Sequence, residues 1–266
     1  MADFRKWFPV LAVLALLAGF ATNAQAAPFT CIESSPVTPT VRAEGLTELV
    51  GDVVLNCDGD VPAQGITANI RIFLNTNVTS RLVNDPGSEA LLLIDEPQPG
   101  QQNFCPVGAT NCADPLRNVF QGQQTGVNTI DWLGVPIVAP GSSGFGRVYR
   151  ITNVRANAFQ LGTSSSLIPT QVFMFISISG TTSVPIQNAR ELVVAFVVPG
   201  MKPGVESQPY KQCEDPVAPV LLSFKEGFGT AFKVQGGSGQ DQPGVVYDTE
   251  TGFTPDDPDT PPEIGM

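Results

Sequence analysis

The chain has 266 residues, a formal net charge of −11 and no histidine. Its few Lys and Arg are scattered rather than clustered, which excludes a phosphate backbone or an anionic lipid face as partner, so no nucleic acid is expected. The missing imidazole also removes the commonest general base, the usual zinc ligand of exported proteins and every Ser-His-Asp arrangement.

The first element is a cleavable signal peptide over residues 1–26. Arg5 and Lys6 precede an apolar run from Trp7 to Phe20, and Ala24-Gln25-Ala26 offers a small-residue cleavage site. That run is shorter than the ~20 residues a membrane span needs. Cys31 lies too far beyond it for a lipobox, and no later stretch reaches spanning length. Cleavage takes away Asp3, Arg5 and Lys6, so the mature chain is one unit more negative still. Export implies a secreted, periplasmic or cell-surface location and an oxidising compartment, where paired cysteines are the default.

Five cysteines follow the leader. Cys105 and Cys112 enclose the turn-forming Pro-Val-Gly-Ala-Thr-Asn and form the first expected bridge. Cys31 with Cys57 is the second, tying the mature N-terminus to the end of a strand. Cys213 is left over: free and buried, exchanged with one of these partners, or joined to another chain.

Strand signals then recur at Leu49–Cys57, Ala68–Leu74, Ala90–Asp95, Arg147–Asn153, Gln171–Ser179, Leu192–Val198 and Val220–Phe224. Each is rich in Val, Ile, Leu or Phe and is flanked by turn residues. Ser179-Gly180-Thr181-Thr182 reads as a hairpin connection whose return strand lies within Ser183–Val198. Only Ser88–Leu93 and Asn188–Val194 could pass as helix; both are too short and too apolar along one side for period to tell them from buried strands, and strand is preferred for both. Prolines at 136, 140, 169, 185 and 199 argue against long helices between them. Polar loops are expected near Pro97–Gln102, Gly122–Asn128 and Ala139–Phe145. The whole reads as an all-β antiparallel sandwich, Ig-like or jelly-roll-like, over residues 27–235, with a barrel as the competing closure. Residues 236–266 open on Gly236-Gly237-Ser238-Gly239 and carry seven acids without a Lys or Arg. They are expected to form a disordered acidic tail.

Candidate chemistry is sparse. The serines at Ser142-Ser143 and Ser164-Ser165-Ser166 lack a base partner and read as loop residues. Two-carboxylate hydrolysis would need a facing acid pair. Asp95 with Glu96, Glu44 with Glu48, and Asp52 are the acids at hand, but adjacent acids in a strand point to opposite faces. Asp58-Gly59-Asp60 is a fragment of a calcium loop without its further acids, and reads as a turn. Of the aromatics able to stack on a sugar, Trp132, Tyr149, Tyr210 and Tyr247 remain, with Trp132 and the Phe residues better read as core. No catalytic, cofactor-binding or metal site is therefore expected.

The run from Val41 to Cys57, with Arg42, Glu44, Gly45, Thr47, Glu48, Val50, Gly51, Asp52, Leu55 and Cys57 in place, resembles uncharacterised exported β-rich proteins of soil bacteria. They share an R-x-E-G-x-T-E-x-V-G-D-x-x-L-x-C opening. The resemblance continues through Ile72–Arg81, Glu89–Pro97, Arg150–Asn157 and Phe224–Gly229. It implies no activity, ligand or catalytic residue, and since such proteins tend to be longer, it implies that the chain corresponds to their N-terminal portion. The expected function is a non-enzymatic structural or interaction protein of the cell envelope or extracellular space, with other envelope proteins or surface glycans as partners. The alternative is a secreted carbohydrate- or calcium-dependent binding module.

Overall fold

A computed structural model describes residues 28–60, 66–109, 112–138, 146–164, 168–180, 183–188, 191–206, 213, 221–229 and 231. The leader at 1–26, the loop at 139–145, Tyr210, Tyr247 and the tail at 236–266 lie outside the described residues.

The described chain is all-β. Its strands are β1 (Thr30–Ser34), β2 (Thr40–Arg42), β3 (Glu48–Leu49), β4 (Val53–Asp58), β5 (Ile66–Leu74), β6 (Leu82–Asn84), β7 (Gly87–Ile94) and β8 (Phe104–Cys105). After these come β9 (Val119–Gly126), β10 (Thr129–Ile137), β11 (Arg147–Thr152), β12 (Arg155–Ala156), β13 (Thr170–Gly180), β14 (Leu192–Val198), β15 (Met201–Glu206) and β16 (Leu221–Glu226). One large sheet runs in the order β1-β4-β11-β7-β9-β10-β5-β13-β14-β2, with β6 beside β7 and β8 beside β9. Its pairings are antiparallel except β2 with β14 and β8 with β9.

The sheet folds over on itself because its inward residues form one continuous apolar surface. Val53, Leu55 and Cys57 of β4 and Tyr149 and Ile151 of β11 belong to one half. Ile70 and Ile72 of β5, Ile130 and Trp132 of β10 and Met174 of β13 belong to the other, and all join a single buried cluster. The Tyr149 hydroxyl spans the two halves, donating to the Pro136 carbonyl at 3.4 Å. Burial at each such position contributes about 1.5–3 kcal/mol, which makes this shared core the main source of stability.

One seam draws the ends of the sheet together. Cys31 N donates to Pro185 O at 3.0 Å and Gln187 N to Cys31 O at 2.9 Å, so β1 docks on the segment that leads into β14. Asn188 locks it, accepting from Glu33 N and donating to Glu33 O, both at 2.9 Å.

Several expectations are corrected here. The 122–128 stretch is mostly strand β9 and the turn into β10, since Gln121 is buried and fully used. Its amide nitrogen donates to Asn84 Oδ1 at 2.6 Å and to Ser88 O at 3.2 Å, and its oxygen accepts from Val107 N at 3.2 Å. Gly122 is required beside it, because a Cβ there would lie 2.7 Å from Ile130 Cγ2 and 3.1 Å from Ala90 O. β14 is the antiparallel return strand expected within Ser183–Val198, but its pairing with β13 starts well before Ser179. Met174 already opposes Leu192, so the rest of β13 pairs with β5 alone and the connection runs from 181 to 191. The last expected strand is described over Leu221–Glu226, two residues longer at its end than expected and with Val220 outside the described residues; it pairs with β15, which its Pro203 and Gly204 concealed.

Candidate functional site

Both expected bridges are present. Cys31 and Cys57 are direct cross-strand partners of β1 and β4, with Cα atoms 4.0 Å apart. Cys105 and Cys112 close their short loop with Cα atoms 5.6 Å apart. Intrachain disulfides of this kind form in oxidising compartments. Cys213 is free and exposed, so it is neither buried nor exchanged with either pair.

Parts of the segments 41–51, 72–81, 89 and 153–157 meet around β3 and β12. There β3 pairs with β12, and Val78 bridges to Ala156. Arg42 donates from Nε and Nη2 to Glu48 Oε1 at 2.9 and 2.7 Å. Glu44 Oε2 accepts from Gly200 N at 2.9 Å. Gly51 packs so closely on the Val37 carbonyl that any Cβ would strike it. Arg155 Nε pairs with Glu89 Oε1 at 2.8 Å, and the same oxygen accepts from Arg81 N at 3.0 Å. Ser80 Oγ donates to Asn153 O at 3.2 Å and accepts from Arg155 N at 2.8 Å. Glu44, Ser80, Glu89 and Arg155 thus tie segments far apart in the chain to one another.

The candidate acids are consumed in the same way. Asp95 and Glu96 follow the end of β7 in left-handed conformations, with φ of 56° and 48°. Asp95 pairs with Arg147 and accepts from Val148 N, while Glu96 and Asp52 share Arg150 at 2.6 and 3.6 Å. Arginines therefore separate these carboxylates, and Arg42 occupies Glu48. Asp58 Oδ1 accepts from Gly59 N at 2.8 Å, the local bond of a turn, with Gly59 at φ 119°. Among the described residues no group of three potential ligands is placed to hold a metal ion.

Sequence did not single out the ion pair of Asp131 with Arg71, and it named Tyr149 only as an aromatic. Asp131, buried on β10, binds Arg71 of β5 through both oxygens at 2.5 and 2.6 Å and accepts from Thr125 Oγ1 at 3.1 Å. The hydrogen bond to Asp131, and then that carboxylate's charge, push the Arg71 guanidinium's pKa further up. Burial raises the Tyr149 phenol well above its ordinary value, with the Arg147 charge opposing and the Asp95 charge adding. Trp132 is fully buried, as expected of core, not of a ligand platform.

A shallow pocket of about 270 Å³ lies between the end of β5 and the turn from β9 to β10, lined by Asn75, Thr76, Asn77, Asn128 and Gln160 among others. Much of its polar lining is already engaged. Asn75 holds β13 through Gln171 O and Phe173 N, Asn128 holds Leu74 O, and Gln160 Oε1 accepts from Thr76 Oγ1 and Asn77 N. Phe159, next to Gln160 in the chain, is 63% exposed, contrary to the core reading of the Phe residues.

No helix among the described residues is long and apolar enough to cross a membrane. No protein-family model matches the chain, and no curated protein matches it either. Among solved structures, a 35 kDa C-terminal fragment of the major pilin GBS80 of Streptococcus agalactiae is similar at a TM-score of 0.31 and 8% identity. The match covers 67% of this chain and 58% of that fragment, and likeness at this level assigns neither family nor function.

Proposed function

We propose that this chain is a non-catalytic structural or interaction protein of the cell envelope or extracellular space, one of the exported group it resembles in sequence. The observation that carries the reading is how its polar residues are spent. Two intrachain disulfides and five arginines, each holding an acid, go into bracing the sandwich. A scaffold built this way suits contact with other envelope proteins outside the cell's reducing interior. Cells producing the chain with its own leader should release it from the cytoplasm, and fractionation should find it in the periplasm, on the surface or in the medium. Retention in the cytoplasm with the leader intact would overturn the reading.

One observation favours the alternative of a glycan-binding module. The pocket is lined by amide side chains, and exposed Phe159 is the chain neighbour of Gln160 in that lining, so an aromatic ring and amide groups lie close in the chain, the pairing that stacking on a sugar would use. Glycan-array binding lost on Phe159→Ala would establish it, and an array without hits would remove it.

A further inference from the structure

The ribbon formed by β15 and β16 stands apart from the large sheet as its own two-stranded sheet. Its register sorts its residues cleanly. Met201 opposes Glu226, Pro203 opposes Phe224 and Val205 opposes Leu222 on one face. The other face carries Lys202 opposite Lys225, Gly204 opposite Ser223 and Glu206 opposite Leu221. The first face is thus apolar at five of six positions, and it is open: Val205 is 65% exposed, Leu222 58%, Phe224 57% and Met201 40%. A two-stranded ribbon with a bare apolar face is marginal on its own, and such a face calls for cover.

We infer that this apolar ribbon face is a docking surface for a second copy of the same chain, the two ribbons stacking face to face about a two-fold axis along their length. The charge distribution favours a second copy. The chain as a whole is strongly acidic and repels itself, but the apolar ribbon face carries a single charge, Glu226 at one end, with both lysines and Glu206 on the opposite face, so here two copies approach at less electrostatic cost than acid-bearing surfaces would impose. The face is also self-complementary, as an isologous contact requires.

Area sets the strength. Side chains of this size at these exposures leave roughly 400 Å² of apolar surface per ribbon, so a stacked pair buries about 800 Å² against the ~1,200 Å² of the smaller stable interfaces. The contact alone is therefore weak and reversible. A covalent tie is available in the connection between the two strands, where Cys213 is free and exposed. Stacking about an axis along the ribbons keeps the two connections at the same end. There the Cys213 thiolate of one copy attacks a disulfide oxidant, such as oxidised glutathione, giving a mixed disulfide and one released thiol. The thiolate of the second copy then displaces the remaining thiol. One S–S bond forms between chains, both Cys213 protons are lost to solvent, and the oxidant's disulfide is reduced to two thiols.

The inference deepens the proposed interaction role by naming the partner, and its test uses purified protein, so it fails independently of where cells send the chain. Folded protein is incubated with oxidised glutathione and followed by non-reducing electrophoresis and sedimentation. A dimer joined through Cys213 and dissolved by dithiothreitol is expected. Leu222→Asp with Phe224→Asp should slow its appearance at least tenfold, and in a Cys213→Ser background should abolish the weak association seen at high concentration. Val205→Ser, a milder change, should give a smaller loss in the same direction, so misfolding of the double variant would not decide the matter. The inference is overturned if Cys213 stops at the glutathione adduct, or if the rate of dimer formation ignores the ribbon substitutions.

Discussion

Removing the bridge between Cys31 and Cys57 separates what the cross-link does to the unfolded chain from what the sulfurs do in the core. The two cysteines are 26 residues apart and both 1% exposed. Loop-closure entropy assigns the bridge about 3.5 kcal/mol, against about 2.5 kcal/mol for the seven-residue separation of Cys105 and Cys112. The paired substitution Cys31→Ala with Cys57→Ala should therefore cost about 4 kcal/mol once a small void is added. Cys31→Ser with Cys57→Ser should cost about 1–3 kcal/mol more, because hydroxyls buried without full partners replace apolar sulfur. In a domain of this size the alanine pair should melt about 10 °C lower. Urea unfolding with two-state fits, repeated with and without reductant, measures both differences. A loss below about 1 kcal/mol for the alanine pair, or a serine pair more stable than the alanine pair, would refute the reasoning.

Other expectations concern the core and the tail. Tyr149 keeps its proton in the folded state at pH values where the unfolded chain, with a phenol near pH 10, has lost it. Stability should accordingly fall as pH rises above about 10, and Tyr149→Phe should flatten that decline by up to about 1.4 kcal/mol per pH unit. Chemical unfolding at pH 9 and pH 11 checks it. Gly122→Val should cost about 1–3 kcal/mol or more through overpacking against Ile130 and the β7 backbone, read as a lowered urea midpoint. Ending the chain at Gln235 should shift melting by only a few degrees, the consequence of about 1 kcal/mol or less.

Sequence reasoning located β4, β5, β7, β11, β13 and β14 because their Val, Ile and Leu density is high enough to mark a buried strand. It passed over β9, where buried Gln121 takes its partners from Asn84, Ser88 and Val107, and no local pattern announces such contacts. In β10 the register shift between Trp132 and Val135, with Gly134 at φ 65°, broke the period. The cysteine pairs were readable from loop length and strand position. The arginine partners of Asp52, Asp95 and Glu96 were not, since they arrive on β11 from about fifty to a hundred residues away in the chain. The same distance effect hid the ribbon's amphipathic face, which exists only once β15 and β16 are in register.

The central claim, an exported protein braced by two internal disulfides, is tested most directly by peptide mapping of the chain recovered from outside the cytoplasm. A leaderless version held in the cytoplasm serves as comparison. The exported protein should yield the cross-linked peptides Cys31 with Cys57 and Cys105 with Cys112, and the leaderless version the free thiols. Five alkylatable thiols in the exported protein, or bridges that draw Cys213 into either pair, would contradict it.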